Sequence, residues 1–238
     1  MSTPHFISIS IDLLKLLLPI LIVFFSSCLF LKKLEVNNFI DKLLAVFLFG
    51  WAQIILAIEV LSLFKAITFT NLYIVHSLFL LVSAALYLFS KKHLKIDCSL
   101  FFHNLKNSLQ GIKLNKTLKI IICACLIVMF LTIIYFGLNI PPYEFDAMAY
   151  HLTKAAFWMQ NQSINHYYTY DIRQTVFPVN AEIGQLWIMI FTKSDSLVFL
   201  VQFLSFIFLL LALYKILRTL KFNKSISIFS VFVFHVWT

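Results

Sequence analysis

Charge, acid, glycine and proline are all scarce in this chain. Only 12% of its 238 residues are charged, against about a quarter in an ordinary soluble domain, which excludes a water-soluble globule. Acids are the rarer sign, ten against nineteen lysines and arginines. The excess of base does not point to nucleic acid, because the lysines sit in short runs beside apolar segments, a distribution suited to anionic lipid headgroups. With four glycines and five prolines there is no low-complexity tract or internal repeat. Nor is there the pair of short, Gly/Pro-broken helices from which transporter sites are built. The four cysteines give no framework: Cys28, Cys123 and Cys125 lie in apolar runs, and the last two point to different sides of a helix. Seven scattered histidines contain no H-E-x-x-H, so neither a protein-built metal site nor a cofactor is expected.

Hydrocarbon-compatible sequence is abundant instead. A membrane helix needs about 20 mostly apolar residues at 1.5 Å each. Five runs qualify: Ile11 to Leu31, Leu43 to Phe64, Leu72 to Phe89, Leu118 to Leu138, and Leu197 to Leu217. A sixth begins at Ile226 and reaches Thr238, about half a span, which reads as the N-terminal part of a longer chain. The first run lacks the basic flank and cleavage site of a signal peptide and is expected to be retained. The fold class is therefore all-α, a polytopic membrane helix bundle. It divides into a three-span module with a basic loop, 1–117, and a second unit, 118–238.

Lysines and arginines set the orientation. Lys32, Lys33 and Lys42, the lysines between Lys91 and Lys119, and Lys215, Arg218, Lys221 and Lys224 mark cytoplasmic ends. The N-terminus and the segment 139–195 then lie outside the cytoplasmic membrane. The apolar run Ala181 to Phe191 is too short to span, and is expected in the outer interface or dipping partly into it, with Trp187 at the headgroups and Glu182 hydrated. The Lys91 to Lys119 connection mixes lysines with leucines and phenylalanines, as a helix on the inner leaflet would.

The outer segment holds most of the candidate chemistry. Pro141 and Pro142 end the fourth span, Asp146 sits at a plausible N-cap, and Ala147 to Asn161 has an apolar stripe at helical spacing. Tyr150 lies one turn beyond Asp146; His151, Lys154 and Trp158 share a neighbouring face; Glu144 precedes them. Capping, ion pairing and lysine snorkelling are the structural alternatives for Asp146, Arg173 and Lys154.

The acidic E-F-D-A-M-A-Y-H after a span, K-A-A-F-W-M-Q-N-Q-S-I-N-H-Y, R-Q-T-V-F-P-V-N-A-E-I-G-Q-L and the basic-ended span from Leu197 together resemble the GT-C superfamily of polytopic membrane glycosyltransferases. These enzymes take sugars from polyprenyl-phosphate donors, as aminoarabinose transferases and protein O-mannosyltransferases do. The resemblance covers Leu118 to the C-terminus, and later core spans of the family are absent. It implies an essential acid in the first outer loop and two surface-lying helices, here Ala147 to Asn161 and Ala181 to Phe191. Transfer from a lipid phosphate needs a carboxylate near the acceptor and positive groups near the departing phosphate. Asp146 is the candidate base, with burial against the membrane and nearby Glu144 favouring proton uptake. Arg173 and Lys154 are candidate phosphate partners; His151, Tyr150 and Glu182 complete the substrate-contact set. Membrane lipids and the lipid-linked donor are the expected partners, with the acceptor unspecified. A transporter or flippase-like carrier of a lipid-linked solute is the alternative, resting on Asp12 or Glu59 within spans; a non-catalytic remnant is the other.

Overall fold

The structure, a computed structural model, describes residues 5–32, 36, 38–89 and 116–237. Among these it is all-helical: α1 (His5–Leu31), α2 (Phe39–Leu63), α3 (Phe69–Leu88), α4 (Lys116–Asn139), α5 (a turn Ala147–His151 running into Leu152–Asn161), α6 (Arg173–Val176), α7 (Asn180–Thr192), α8 (Phe199–Thr219) and α9 (Lys224–Trp237). Five of them, α1 to α4 and α8, are long and apolar enough to cross a membrane, as the apolar runs predict. Large side chains such as Leu14, Leu48, Leu81, Leu131 and Leu209 remain exposed along them. In a soluble protein such a coat would aggregate; in a bilayer it is the lipid-facing surface. The chain thus reads as a multi-pass membrane protein. The basic connection expected on the inner leaflet lies almost wholly outside the described residues.

Contacts between helix ends sort the bundle into two poles. At one, Lys215 at the end of α8 pairs with Asp41 at the start of α2, 2.6 Å apart. At the other, the α2–α3 turn is stapled to the end of α5: Ile67 N–H donates to the Gln162 carbonyl at 3.1 Å, and Ile164 N–H to Ser62 Oγ at 2.9 Å. Lys15 near the start of α1 joins this second pole by donating to the Thr192 carbonyl at the end of α7. A helix C-terminus carries partial negative charge and unpaired carbonyls, so an ammonium there stabilises α7. The start of α1, the α2–α3 turn and the C-terminal ends of α5 and α7 therefore share one pole.

The main departure from expectation is the setting of α7. Its limits match the apolar run, yet every residue from Glu182 to Thr192 is buried. It runs alongside the bundle helices: Gly184 sits against Trp51 in mid-α2, Trp187 meets His76, and Phe191 packs on Phe69 and Tyr73 at the start of α3. A Cβ at Gly184 would come within 2.4 Å of the Trp51 ring, so glycine is what permits this approach. Glu182 is only 1% exposed, correcting its expected hydration, and Trp187 is buried instead of lying free at headgroup level. The core is continuous from Leu16 and Ile58 through Ile183 and Leu186 to Val201, so both halves of the sequence build it.

A buried polar chain fixes α7 to the first three helices. Trp187 Nε1–H donates to His76 Nε2 at 2.9 Å, the Gln53 side-chain amide lies 3.1 Å from His76 Nδ1, and Gln53 continues to Ser26. An indole only donates, so Nε2 of the neutral imidazole accepts and its proton sits on Nδ1. The Gln53 amide satisfies both neighbours when its oxygen faces that proton and its NH2 faces Ser26 Oγ.

Candidate functional site

The motif E-F-D-A-M-A-Y-H folds into the start of α5 with one under-wound feature. Residues Ala147–His151 form a π-turn, closed by Leu152 N–H donating to the Ala147 carbonyl five residues back. Such turns are rare and cluster at functional positions, because the inserted residue re-aims the side chains around it. The neighbouring carbonyls are taken by side chains: Thr153 Oγ1 donates to Met148, and Gln174 Nε2 donates to Ala149 at 2.8 Å. Gln174 also accepts from Tyr167 Oη at 2.8 Å, which binds α6 to the π-turn. Asp146 makes no capping hydrogen bond, contrary to its expected role; the turn already begins with Met148 N–H on the Glu144 carbonyl.

Freed from capping, the Asp146 side chain is 65% exposed and stands 3.6 Å from an Arg173 Nη. Among the described residues no side chain covers this carboxylate; the burial expected for it is burial against the membrane. Arg173 itself forks onto Asp171, with Nε and Nη2 donating to its two oxygens at 2.9 and 2.7 Å. The guanidinium lies 4.8 Å from the Tyr150 ring centroid and 5.5 Å from that of Phe145, close enough for cation–π attraction. The hydrogen bonds from Arg173 hold Asp171 below the usual carboxylate range. Tyr150 is pushed upward, first by burial and then by the neighbouring Asp146 carboxylate.

A second group lies on the same helix. His151 Nδ1 is 2.8 Å from Glu182 Oε1, so the carboxylate holds the Nδ1–H tautomer and leaves Nε2 as the ring's open nitrogen. Glu182 Oε2 has no partner among the described residues. Lys154 is buried rather than snorkelling: its ammonium donates to the Phe177 carbonyl at 3.2 Å and lies 5.2 Å from the Trp158 ring centroid. Burial lowers its pKa, and the charge of Glu182 acts in the opposite direction.

Comparison with protein-family models, curated proteins and solved structures returns no match. The geometry must therefore carry the reading. It brings together Asp146, Tyr150, Asp171 and Arg173 in one cluster, and His151, Lys154 and Glu182 in another. Glu144 joins neither; it lines a cavity of about 380 Å³ whose wall does not include Asp146. Of the residues weighed for transport, Asp12 is buried and paired to Lys15 at 2.9 Å, while Glu59 is exposed. Among the described residues no group of three or more His, Cys, Asp or Glu is placed to hold a metal ion.

Sequence reasoning missed Gln174, which positions Arg173, and the Ser26–Gln53–His76–Trp187 chain. For the chain a signal existed: amide and imidazole side chains inside apolar runs must find partners there. For Gln174 there was none.

Proposed function

We propose that this chain is a membrane glycosyltransferase, or part of one, that moves a sugar from a polyprenyl phosphate to an acceptor. The observation that carries the reading is an exposed carboxylate, Asp146, held 3.6 Å from a guanidinium by a π-turn. Transfer requires both charges at one place. Asp146 takes the proton from the attacking hydroxyl or amine; the acceptor bonds to the sugar carbon as the bond from that carbon to the phosphate oxygen breaks. Arg173, with Nη groups left beside its Asp171 fork, meets the charge that develops on the departing phosphate. His151, oriented through Glu182, and Tyr150, beside Arg173, are the neighbouring groups on α5, whereas Glu144 lines a separate cavity. Lys154 holds the Phe177 loop in place and contributes its positive field from behind.

The pole carrying Lys215, Arg218 and Lys221 has the denser positive charge, and by the positive-inside bias it is the cytoplasmic one. The C-terminal ends of α5 and α7 then lie toward the outer face of the cytoplasmic membrane, and both helices run from there into the bundle side by side. An apolar cavity of about 260 Å³ lined by Leu16, Val23, Trp51, Gly184, Trp187 and Phe208 has the chemistry a hydrocarbon chain needs.

The test is transfer from labelled lipid donor in membranes carrying the full chain or its Asp146→Asn variant. Loss of a positioned base is expected to slow transfer by about 10²- to 10⁴-fold. Undiminished turnover in the Asp146→Asn variant removes this carboxylate from the mechanism.

A further inference from the structure

The cavity beside α5 is a second site, and its lining has a one-sided chemistry. It lies between the end of α4, the Pro141-Pro142 turn, α7 and the start of α8. At about 380 Å³ it is in the size range of small-molecule sites. Its charged lining residues are Glu144 and Asp195, with no lysine, arginine or histidine among the residues that line it. Neither carboxylate has an ion-pair partner among the described residues. Gln185 also lines it, is 8% exposed, and its amide oxygen is buried with no hydrogen-bond partner among the described residues. A buried acceptor without a donor costs about 1–3 kcal/mol, so a donor arriving from a ligand would remove a standing penalty. Phe136, Tyr143 and Phe199 supply aromatic wall.

We infer that this cavity binds a small organic cation through a primary ammonium group. Two carboxylates call for positive charge; the orphaned Gln185 oxygen calls for an N–H; the aromatic wall suits an apolar body with a cationic end. A quaternary ammonium has the charge and no donor, and an alcohol has the donor and no charge. A metal ion is disfavoured by the donor set, since no cluster of three ligating side chains is present among the described residues. The ammonium belongs either to a soluble amine or to a lipid headgroup that bears one. The site is independent of the transfer reading, because Asp146 is not in its wall.

The experiment uses the full chain in phosphatidylcholine nanodiscs and ligand-observed NMR titration with three matched probes: phenethylamine, its N,N,N-trimethyl analogue and 2-phenylethanol. Saturable binding of the amine is expected, with the other two at least about tenfold weaker, the loss that one charged hydrogen bond accounts for. Glu144→Gln and Asp195→Asn should each weaken the amine by about tenfold, whereas Asp146→Asn should leave its binding unchanged even where transfer is lost. Doping the nanodiscs with phosphatidylethanolamine separates the sources: competition identifies the headgroup as occupant, and its lack identifies a soluble amine. Equal binding of the alcohol or the quaternary probe, no saturable amine binding, or amine binding indifferent to both acid substitutions overturns the inference. The probe series needs no variant, so a misfolded mutant does not leave it undecided.

Discussion

Two polar clusters in this molecule, one inside the bundle and one at the start of α5, are built on opposite terms. The inner one, Ser26–Gln53–His76–Trp187, is uncharged, buried and saturated: each polar group is matched to a neighbour, and four helices are joined. The outer one, Asp146–Tyr150–Asp171–Arg173, is charged and in part open, with one carboxylate held near the guanidinium yet not locked to it. A saturated neutral network has nothing left to offer a ligand, and its value lies in specifying one packing. An open charged cluster contributes little to stability and keeps its interactions for something outside. Polar residues in an apolar chain thus divide into those that weld and those left open to something outside, and the division is made by whether partners are already present.

Glu182 belongs to neither class cleanly and gives the sharpest break. It is enclosed like the inner group, yet ionisable like the outer one, and it pairs with His151 while Lys154 lies buried nearby. Glu182→Ala removes the hydrogen-bond partner of His151 and the negative charge that acts on the buried Lys154. A loss of about 3–5 kcal/mol in unfolding free energy is expected, measured by denaturant titration in detergent. A loss under about 1 kcal/mol would show that the enclosure is not maintained.

His76→Leu tests the weld itself. It removes the acceptor of the Trp187 N–H and the partner of the Gln53 amide, both buried, while nearly preserving volume. Destabilisation of about 2 kcal/mol is expected, below a simple sum of two orphaned groups because polar groups in a membrane-unfolded state also find partners. Transfer activity should fall only in step with the folded fraction. Arg173→Gln is the converse: stability should change by no more than about 1 kcal/mol, while transfer, on the proposed reading, drops at least about tenfold through loss of the proposed phosphate partner. If the two variants exchange these signatures, the distinction between weld and reactive cluster is wrong.

How much of this was legible in the sequence depended on which physical quantity mattered. The five long helices follow from apolar run length alone, and α5 begins and ends where its stripe does. The limits of α7 were also readable, and its placement was not, because length says only that it cannot span. Its composition held the better clue: from Leu186 to Phe191 every residue is apolar, more than a full turn with no polar side chain, and a stretch apolar all round is enclosed. Nothing local announces a π-turn, so the release of Asp146 from capping was invisible. Asp171 and Arg173 were close enough in sequence for their pairing to be weighed in advance; that Arg173 would also meet Asp146 depended on Gln174 reaching the Ala149 carbonyl.

The smallest expected effect separates the clusters by pH. Lys154 and Asp171 have pKa values displaced downward by different causes, burial for the lysine and the Arg173 hydrogen bonds for the acid. A lysine held below its ordinary 10.5 binds fewer protons folded than unfolded, so stability rises as pH climbs through the lowered value and levels off above 10.5. Asp171 likewise binds fewer protons when folded: its contribution is present above the ordinary 3.8 and is lost as pH falls through the lowered value. The same direction of shift therefore gives an alkaline gain in one cluster and an acid loss in the other. Unfolding midpoints followed across pH should show the alkaline rise vanish in Lys154→Met with the acid limb intact, and the acid limb shrink in Asp171→Asn with the alkaline rise intact. A rise that survives Lys154→Met would mean that this ammonium keeps its water in the folded chain, and that its contacts with Phe177 and Trp158 do not persist in solution.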